Sequence, residues 1–127
     1  MYPLVFEGNS VKPKVILDKK SGEFIFSGVS MCEDALAFYK PIFDWIKQYA
    51  LDPNPKTEVH FKLTYFNTAS SKMILDVMLR FEEIYNMGND VCIFWHYPPD
   101  DEDLEEAGEI YKSRLEIPFN VIENEDD

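Results

Sequence analysis

The sequence predicts a single α/β domain, a mixed sheet of about five or six strands that carries about three helices. Along most of the chain, strand patterns alternate with helix patterns, which favours parallel strand pairs with right-handed crossovers. The N-terminal part instead shows strand patterns in succession around a tight turn, which favours an antiparallel hairpin. The length of 127 residues and the 46% hydrophobic content suit one compact domain with its own core.

The N-terminal region predicts three strands. Residues 2–6 form a short apolar run, and Pro3 favours a position at the edge of the sheet. Residues 15–17 and 23–29 have strand character and flank a turn that contains Gly22. These two runs are therefore the predicted hairpin.

The first helix is predicted to start within residues 30–34, because Ser30 and Glu33 stand at capping-box spacing. Pro41 should remove a hydrogen bond to Ala37 and kink this helix, unless the helix starts later than the capping box suggests. The apolar side chains predicted to share one side are Leu36, Tyr39, Phe43, Ile46 and Tyr49, widened by Phe38, Ile42 and Trp45.

A strand at residues 57–66 runs almost directly into a second helix. The strand is predicted from the alternation of apolar Val59, Phe61, Leu63 and Tyr65 with polar neighbours. Asn67 and Thr68 are both good N-cap residue types, so either could start the helix. The helix itself is predicted from the three- and four-residue spacing of Met73, Ile74, Val77, Met78, Phe81, Ile84 and Tyr85.

The C-terminal part predicts a strand, a helix and a last strand. Residues 90–97 are apolar on both faces, which is typical of a central strand. Residues 101–113 form a weaker helix, and residues 117–122 form the last strand. The predicted buried side of this helix carries Leu104, Ala107, Ile110 and Tyr111. We therefore expect one domain over residues 1–122 and an acidic tail at 123–127.

The charge distribution excludes some classes of partner. Residues 100–127 hold 12 of the 24 acidic residues but only 2 of the 12 basic ones. Nucleic-acid binding needs a basic face, and this chain shows none. No run approaches the roughly 20 apolar residues of a membrane span, so no membrane insertion is expected.

The cysteines predict a cytoplasmic protein without a metal or other cofactor. Cys32 and Cys92 do not form a CxxC motif, which fits a reducing compartment better than a disulfide framework. His60 and His96 lack zinc-ligand spacing with the cysteines. His60 is predicted on the polar side of its strand, as a surface residue and not a ligand.

The candidate site is the rim where three strands end. If the strands ending near residues 29, 66 and 97 are parallel, their carboxyl ends share one edge of the sheet, where open α/β folds place sites. The helix start there could hold a phosphate, either on a ligand or on a hydroxyl, although a plain helix cap also explains the pattern. The predicted rim comprises Ser30, Met31, Cys32, Glu33, Asn67, Thr68, Ala69, Ser70, Ser71, Lys72, His96 and Tyr97.

Two other functions use the same rim. A small hydrolase would take Cys32 or Ser70 as nucleophile and His96 as base, but the sequence has no G-x-S-x-G motif and no evident orienting acid. A nucleotide or small-molecule sensor would bind at the helix start, but there is no glycine-rich phosphate loop. We therefore predict a binding protein and not an enzyme.

The chain resembles the SiaC family of bacterial regulatory phosphoproteins over nearly its whole length. The run of residues 65–72, Tyr-Phe-Asn-Thr-Ala-Ser-Ser-Lys, is the most specific part of the likeness. Residues 61–63, the Phe-Tyr-Lys-Pro-Ile run at 38–42 with Trp45, and the early hairpin support it. Where the family has a proline after the first loop, this chain departs from the pattern and has Cys32.

The resemblance implies a STAS-like fold, similar to the anti-sigma-factor antagonists of partner-switching systems. It also implies that a dedicated kinase phosphorylates Thr68 and that a PP2C-type phosphatase removes the phosphate. The unmodified form would bind and activate an effector, a diguanylate cyclase, and so raise cyclic di-GMP and favour biofilm growth. Spacing alone does not separate Thr68 from Ser70 or Ser71; the resemblance selects Thr68.

Overall fold

A computed structural model describes residues 1–124 of the chain and shows six strands and three helices. In chain order the elements are β1 Leu4–Phe6, β2 Lys14–Asp18, β3 Glu23–Ser30, α1 Ala35–Tyr49, β4 Lys56–Phe66, α2 Thr68–Asn86, β5 Asp90–Tyr97, α3 Glu102–Ser113 and β6 Phe119–Glu123. The strands lie in the sheet in the same order as in the chain. β1, β2 and β3 pair antiparallel, and β3 to β6 pair parallel, which confirms the predicted mixed sheet.

All three helices lie on one face of the sheet. Each of the three helical crossovers connects a strand to the next strand on the same side, from β3 towards β6. Because such crossovers are right-handed, their helices all lie on the same face of the sheet. The strand side chains beneath the helices are buried, namely Val15, Leu17, Phe24, Phe26, Val59, Phe61, Leu63, Val91, Ile93 and Trp95. These side chains and the apolar stripes of the helices form one hydrophobic core.

The other face of the sheet, which we call the open face, carries the alternate side chains of the same strands. Ile16, Ile25, His60, Phe94 and His96 lie there and are all partly exposed. β5 lies between β4 and β6, as expected for an interior strand, yet only one of its faces is covered by helices. The strand at residues 90–97, which is apolar on both faces, therefore has one face buried under the helices and the other on the open face.

The first helix is capped within the predicted segment 30–34, at Asp34, but the predicted capping box of Ser30 and Glu33 is wrong. Ser30 is the last residue of β3, where it pairs with Phe66. α1 is capped by Asp34, whose side chain accepts a hydrogen bond from the Ala37 amide at 3.1 Å. Ser30 does not cap the helix because its backbone continues the hydrogen-bonded pairing of β3 with β4 and its hydroxyl is buried.

The predicted stripe of α1 is otherwise confirmed, with one exception. Leu36 is 62% exposed, because the helix turns its Tyr39, Phe43 and Ile46 side toward the sheet. The helix runs on through Pro41, which is itself exposed.

The sequence pattern places Tyr65 and Ile110 on the apolar sides of their elements, but both side chains are exposed in the structure. At the β3–β4 pairing the register shifts, so that Gly28 pairs with Leu63 but Val29 pairs with Tyr65. The extra residue in β4 reverses the alternation beyond Leu63, and Phe66 turns inward in place of Tyr65. On α3, the buried residues are Leu104, Gly108 and Tyr111, and Ile110 lies beside that stripe at 46% exposure.

The C-terminal end of the described chain is part of the sheet. β6 reaches Glu123, and the Asn124 amide donates to the Tyr97 carbonyl at 2.8 Å. The predicted acidic tail at 123–127 thus overlaps the last strand, and its residues 125–127 lie outside the described part. Within residues 1–124, no helix combines the length and apolar character that crossing a bilayer requires.

Candidate functional site

The carboxyl ends of β3 and β4 lie side by side at the predicted rim and are hydrogen bonded to each other. The two strands are parallel, and Ser30 pairs with Phe66 at their last residues. One residue later, the Asn67 amide donates to the Ser30 carbonyl at 3.1 Å. The end of β3 is therefore fixed against the start of α2.

The start of α2 is built by Asn67 and exposes Thr68. The Asn67 side chain caps the helix by accepting from the Ser70 amide at 2.9 Å, which decides between the two predicted caps. Thr68 is the first residue of the helix, and Thr68, Ala69 and Lys72 are all exposed. The amides of Thr68 and Ala69 lie in the first turn, where a helix offers them no internal acceptor.

The Ser70 hydroxyl is enclosed in the core. Ser70 is 0% exposed and accepts a hydrogen bond from the Ser30 hydroxyl at 2.8 Å. The single proton of Ser30 is used in that bond, so the Tyr39 hydroxyl, also 2.8 Å away, must donate to Ser30. Burial is the main cause that raises the pKa of Tyr39, and the tyrosine therefore stays protonated.

The Ser71 hydroxyl is held by α3. It lies 3.1 Å from the Tyr111 hydroxyl, which in turn donates to the Ser71 carbonyl at 3.0 Å. Burial also raises the pKa of Tyr111. Of the three hydroxyls at this helix start, that of Ser70 is bonded to Ser30 and that of Ser71 to Tyr111, whereas Thr68 is exposed.

Apolar and acidic side chains surround the helix start. Met31, which directly follows β3, is 38% exposed, and Tyr65, the last residue but one of β4, is 55% exposed. Glu33 is exposed, whereas Cys32 is buried, and this burial raises the pKa of its thiol. α3 begins at the same edge of the sheet with three acids in its first turn, Glu102, Asp103 and Glu105.

His96 and Tyr97 belong to the end of β5 but do not face the helix start of α2. The Tyr97 hydroxyl donates to Glu105 at 3.2 Å. The two ring nitrogens of His96 lie 2.9 Å from His60 Nδ1 and 2.9 Å from Asn124 Oδ1, on the open face. Sequence reasoning missed this histidine pair, because it depends on the register of β4 against β5.

The nucleophile and base of the hydrolase alternative are not brought together. His96 is on the open face, whereas Cys32 and Ser70 are buried on the helical side of the sheet. Neither of these two candidate nucleophiles hydrogen bonds to His96; the Ser70 hydroxyl is bonded to Ser30. The geometry that activates a serine or cysteine is therefore not assembled from these residues.

The space beside the α2 start is small. A cavity of about 190 Å³ lies between α2 and α3, lined by Phe66, Ser71, Lys72, Leu75, Ala107, Ile110, Tyr111 and Arg114. Pockets for drug-sized ligands measure roughly 300–1,000 Å³. This size does not favour the nucleotide-sensor alternative.

The fold and the rim define the class of protein. One α/β domain presents an exposed hydroxyl at a helix N-terminus, next to exposed apolar and acidic side chains. This arrangement is that of a small regulatory protein. The comparison with known families agrees: a family model described as "SiaC family regulatory phosphoprotein" matches residues 6–124, and the chain belongs to the SiaC family.

Individual relatives come from Pseudomonas aeruginosa. An uncharacterized protein of strain UCBPP-PA14 is 26% identical over 121 residues, which cover 95% of this chain and 96% of that protein. The structure of SiaC of P. aeruginosa matches with a TM-score of 0.87 and 25% identity, over 98% of this chain and all of that chain. A chain in the crystal structure of the diguanylate cyclase SiaD in complex with its activator SiaC matches with a TM-score of 0.89 and 26% identity, over 95% and 99% of the two chains.

Proposed function

We propose that this protein is a non-enzymatic phosphorylation switch that binds an effector in its unmodified form and loses the effector when Thr68 is phosphorylated. The effector is a diguanylate cyclase. The protein works in the cytoplasm, a reducing compartment that suits its two free cysteines. A dedicated kinase adds the phosphate and a PP2C-type phosphatase removes it. The switch would then control cyclic di-GMP and biofilm growth.

The observation that carries the proposal is the difference among the three hydroxyls of the α2 start. A kinase needs a hydroxyl that can enter its active site, and only exposed Thr68 meets this condition without rearrangement. Ser70 would first have to leave a fully buried network with Ser30. Ser71 would have to leave the Tyr111 hydroxyl. The geometry therefore supports Thr68 on grounds independent of family likeness.

The α2 start can hold a phosphate on Thr68 without a change of fold. A phosphothreonine carries about −1.5 to −2 charges at neutral pH. The positive end of the helix dipole, the first-turn amides and the exposed Lys72 ammonium all favour an anion there. Phosphorylation would accordingly change the surface charge and leave the core intact.

The effect on an effector follows from desolvation. An interface that accepts a neutral hydroxyl beside Met31 and Tyr65 would have to bury a dianion after phosphorylation. Leaving such a charge unpaired costs several kcal/mol, which corresponds to about a thousandfold in affinity. The choice of a diguanylate cyclase rests on the solved complex of SiaC with SiaD.

Phosphate mapping tests the modification. The protein is recovered from its native cells and studied by intact and peptide-level mass spectrometry, before and after treatment with a PP2C-type phosphatase. We expect one phosphate on Thr68, which the phosphatase removes. A Thr68 that is unmodified under all growth conditions, or a phosphate on Ser70 or Ser71 instead, would contradict the proposal.

Binding to a diguanylate cyclase tests the consequence. SiaD of P. aeruginosa and a diguanylate cyclase of the native organism serve as probes in titration calorimetry. Thr68→Ala should bind like the unmodified protein, and Thr68→Asp should bind at least tenfold more weakly, because it places a charge in the interface. Equal affinity of these two variants would contradict the switch.

Ser21→Asp is the matched control for added charge. Ser21 lies in the β2–β3 turn, at the opposite end of β3 from the rim, and its hydroxyl accepts from the Glu23 amide. An aspartate keeps an acceptor there and adds the same charge as Thr68→Asp. It should leave effector binding unchanged, which separates a local effect at Thr68 from a general effect of negative charge.

A further inference from the structure

A cavity lies between the last turns of α1 and α2, at the end of the domain opposite to Thr68. Both helices start at the rim and end at the other edge of the sheet, where each leads into the next strand. The cavity has a volume of about 510 Å³, which is within the roughly 300–1,000 Å³ of small-molecule pockets. The phosphorylation switch does not use this cavity.

Arg80 of α2 lines this cavity and has no anionic partner in the described part of the chain. Its guanidinium lies over the ring of Phe43, with Cζ 4.3 Å from the ring centroid. None of the ion pairs within residues 1–124 includes Arg80. Its Nε is enclosed without an acceptor, and no other side-chain nitrogen or oxygen of residues 1–124 is in that state. The two terminal nitrogens are therefore the ones that remain open to a ligand.

An arginine in this position is costly unless it binds something. The guanidinium carries five N–H donors, and an enclosed donor without an acceptor lowers the stability of the folded state. The ring of Phe43 attracts the cation and fixes its place, but it offers no oxygen to these donors. Arg80 is thus held ready for an acceptor that residues 1–124 do not supply.

The charged side chains that line the cavity favour an anion with a single charge. Lys47 of α1 is a second cation, and Glu83 of α2 is the acid. Two cations and one acid give the lining a net charge of +1, whereas the whole chain carries −12. A monoanion balances this charge. A dianion would leave one negative charge uncompensated beside Glu83.

The helix ends determine how such a ligand is oriented. α2 is capped at Met87, seven residues after Arg80, which corresponds to a rise of about 10 Å. The partial negative charge of a helix C-terminus acts mainly within the last turn. An anionic group is therefore favoured at Arg80, and an uncharged part is favoured toward the helix ends.

The side chains toward the helix ends are apolar. Ile46 and Ala50 of α1 continue the lining to two exposed side chains at the mouth of the cavity. These are Leu51, which is 79% exposed, and Met87, which is 62% exposed. A hydrocarbon chain that covered both would remove apolar surface from water on either side of the contact, which favours binding.

We propose that this cavity binds a small aliphatic monocarboxylate. Both carboxylate oxygens accept from the terminal nitrogens of Arg80, because the fork of a guanidinium matches a carboxylate. Lys47 adds a second attraction, and the hydrocarbon chain lies along Leu51 and Met87. Because the site is at the opposite end of α2 from Thr68, it does not depend on the phosphorylation of that residue.

Octanoate is the probe, because its chain roughly matches the rise from Arg80 to Met87. In a titration of the full chain followed by NMR, the amide signals of residues 46–51 and 80–87 should shift to saturation, with a Kd below about 1 mM. Octan-1-ol and octylamine have the same chain without the anion and should bind about tenfold more weakly or worse. Equal binding of octan-1-ol, or shifts centred on residues 66–72, would overturn the proposal.

Arg80→Met removes the cation and keeps an unbranched side chain beside Phe43. It should weaken octanoate binding by about 10- to 100-fold and leave octan-1-ol binding unchanged. Without a ligand, its melting temperature should be no lower than that of the unmodified protein, because the enclosed Nε is gone. Unchanged octanoate affinity in this variant would show that Arg80 only packs on Phe43, and would overturn the proposal.

Two further variants complete the test. Leu51→Ser changes an exposed side chain, so it should fold even if Arg80→Met does not, and it should weaken octanoate and octan-1-ol alike. Lys112→Met removes an exposed cation from α3 and should bind octanoate like the unmodified protein, which controls for net charge. Binding of an acidic, leucine-containing peptide without any saturable binding of octanoate would make this surface a protein-docking site and overturn the proposal.

Discussion

At the scale of single residues, the hydroxyls of Tyr39, Ser30 and Ser70 form a buried chain of hydrogen bonds beneath the rim. It joins α1, β3 and α2 with two bonds of 2.8 Å each. Ser30 is the central member, because it accepts from Tyr39 and donates to Ser70. The chain therefore lies directly beneath the proposed phosphorylation site and fixes the α2 start to the sheet.

Ser30→Ala should lower the free energy of unfolding by about 1–3 kcal/mol, because it leaves the buried hydroxyls of Tyr39 and Ser70 without their partner. Tyr39→Phe removes only the end of the chain and should cost about 0.5–1.5 kcal/mol. Urea denaturation followed by tryptophan fluorescence measures both. Ser113→Ala, at an exposed helix end, is the control; a Ser30 variant no less stable than this control would contradict the prediction.

The thiols of Cys32 and Cys92 should react slowly in the folded protein. Burial raises the pKa of each, so less of the reactive thiolate is present at a given pH than in an unfolded chain. Iodoacetamide labelling should modify partly exposed Cys92 first and buried Cys32 only on unfolding, and the rate for Cys92 should rise with pH beyond 9. Mass spectrometry of timed samples measures this, and fast labelling of Cys32 near pH 7 would contradict it. In the Cys92→Ser variant, we expect only the slow reaction.

At the scale of elements, α3 approaches β5 closely because its middle residue is a glycine. A Cβ atom on Gly108 would lie 2.4 Å from Cδ1 of Trp95, which is fully buried. The Trp95 indole also donates to the Leu104 carbonyl at 2.9 Å. α3 thus packs against the indole ring of Trp95 through the close approach at Gly108 and through the hydrogen bond to Leu104.

Gly108→Ala should destabilise the protein although alanine favours helices. The helical gain is about 0.5–1 kcal/mol, whereas overpacking of a dense core costs about 1–3 kcal/mol. We expect a net loss of about 1–2 kcal/mol and a changed near-ultraviolet circular dichroism signal from Trp95. Glu109→Ala, the exposed neighbour, should show neither effect. A stabilised Gly108→Ala variant would mean that α3 shifts without strain.

At the scale of the whole molecule, repulsion between acids outweighs attraction. The net charge is −12. Within residues 1–124 the ion pairs are Lys19–Asp52, Lys40–Asp44 and Lys56–Glu58, and each includes a largely exposed side chain. Exposed pairs of this kind contribute about 0–1 kcal/mol each.

Added salt should therefore stabilise the fold. Raising NaCl from about 20 mM to about 500 mM screens the repulsion and should raise the urea midpoint of unfolding. The triple variant Asp100→Asn, Glu102→Gln, Asp103→Asn should show a smaller rise, because it removes charge from the start of α3 and keeps the Asp101 cap. KCl should act like NaCl; a midpoint that falls with salt would show that ion pairs dominate.

The sequence by itself determined the order of elements, the N-terminal hairpin, most of the core and the start of α2. Periods of two and of about 3.6 residues are local properties, and every residue of a strand or helix contributes to them. The run from Tyr65 to Lys72 also carried the family likeness. Local pattern was therefore sufficient for the mixed α/β fold and for the helix start that we propose as the site.

Only the tertiary structure decided which side chains meet. Tyr65 is exposed because one extra residue in β4 reverses the inward and outward alternation of side chains after Leu63. Ser30 became a buried strand residue and not a cap, and the His60–His96 pair arose from the register of two parallel strands. Such contacts depend on pairing between residues 36 to 40 positions apart in the chain, which no local period specifies.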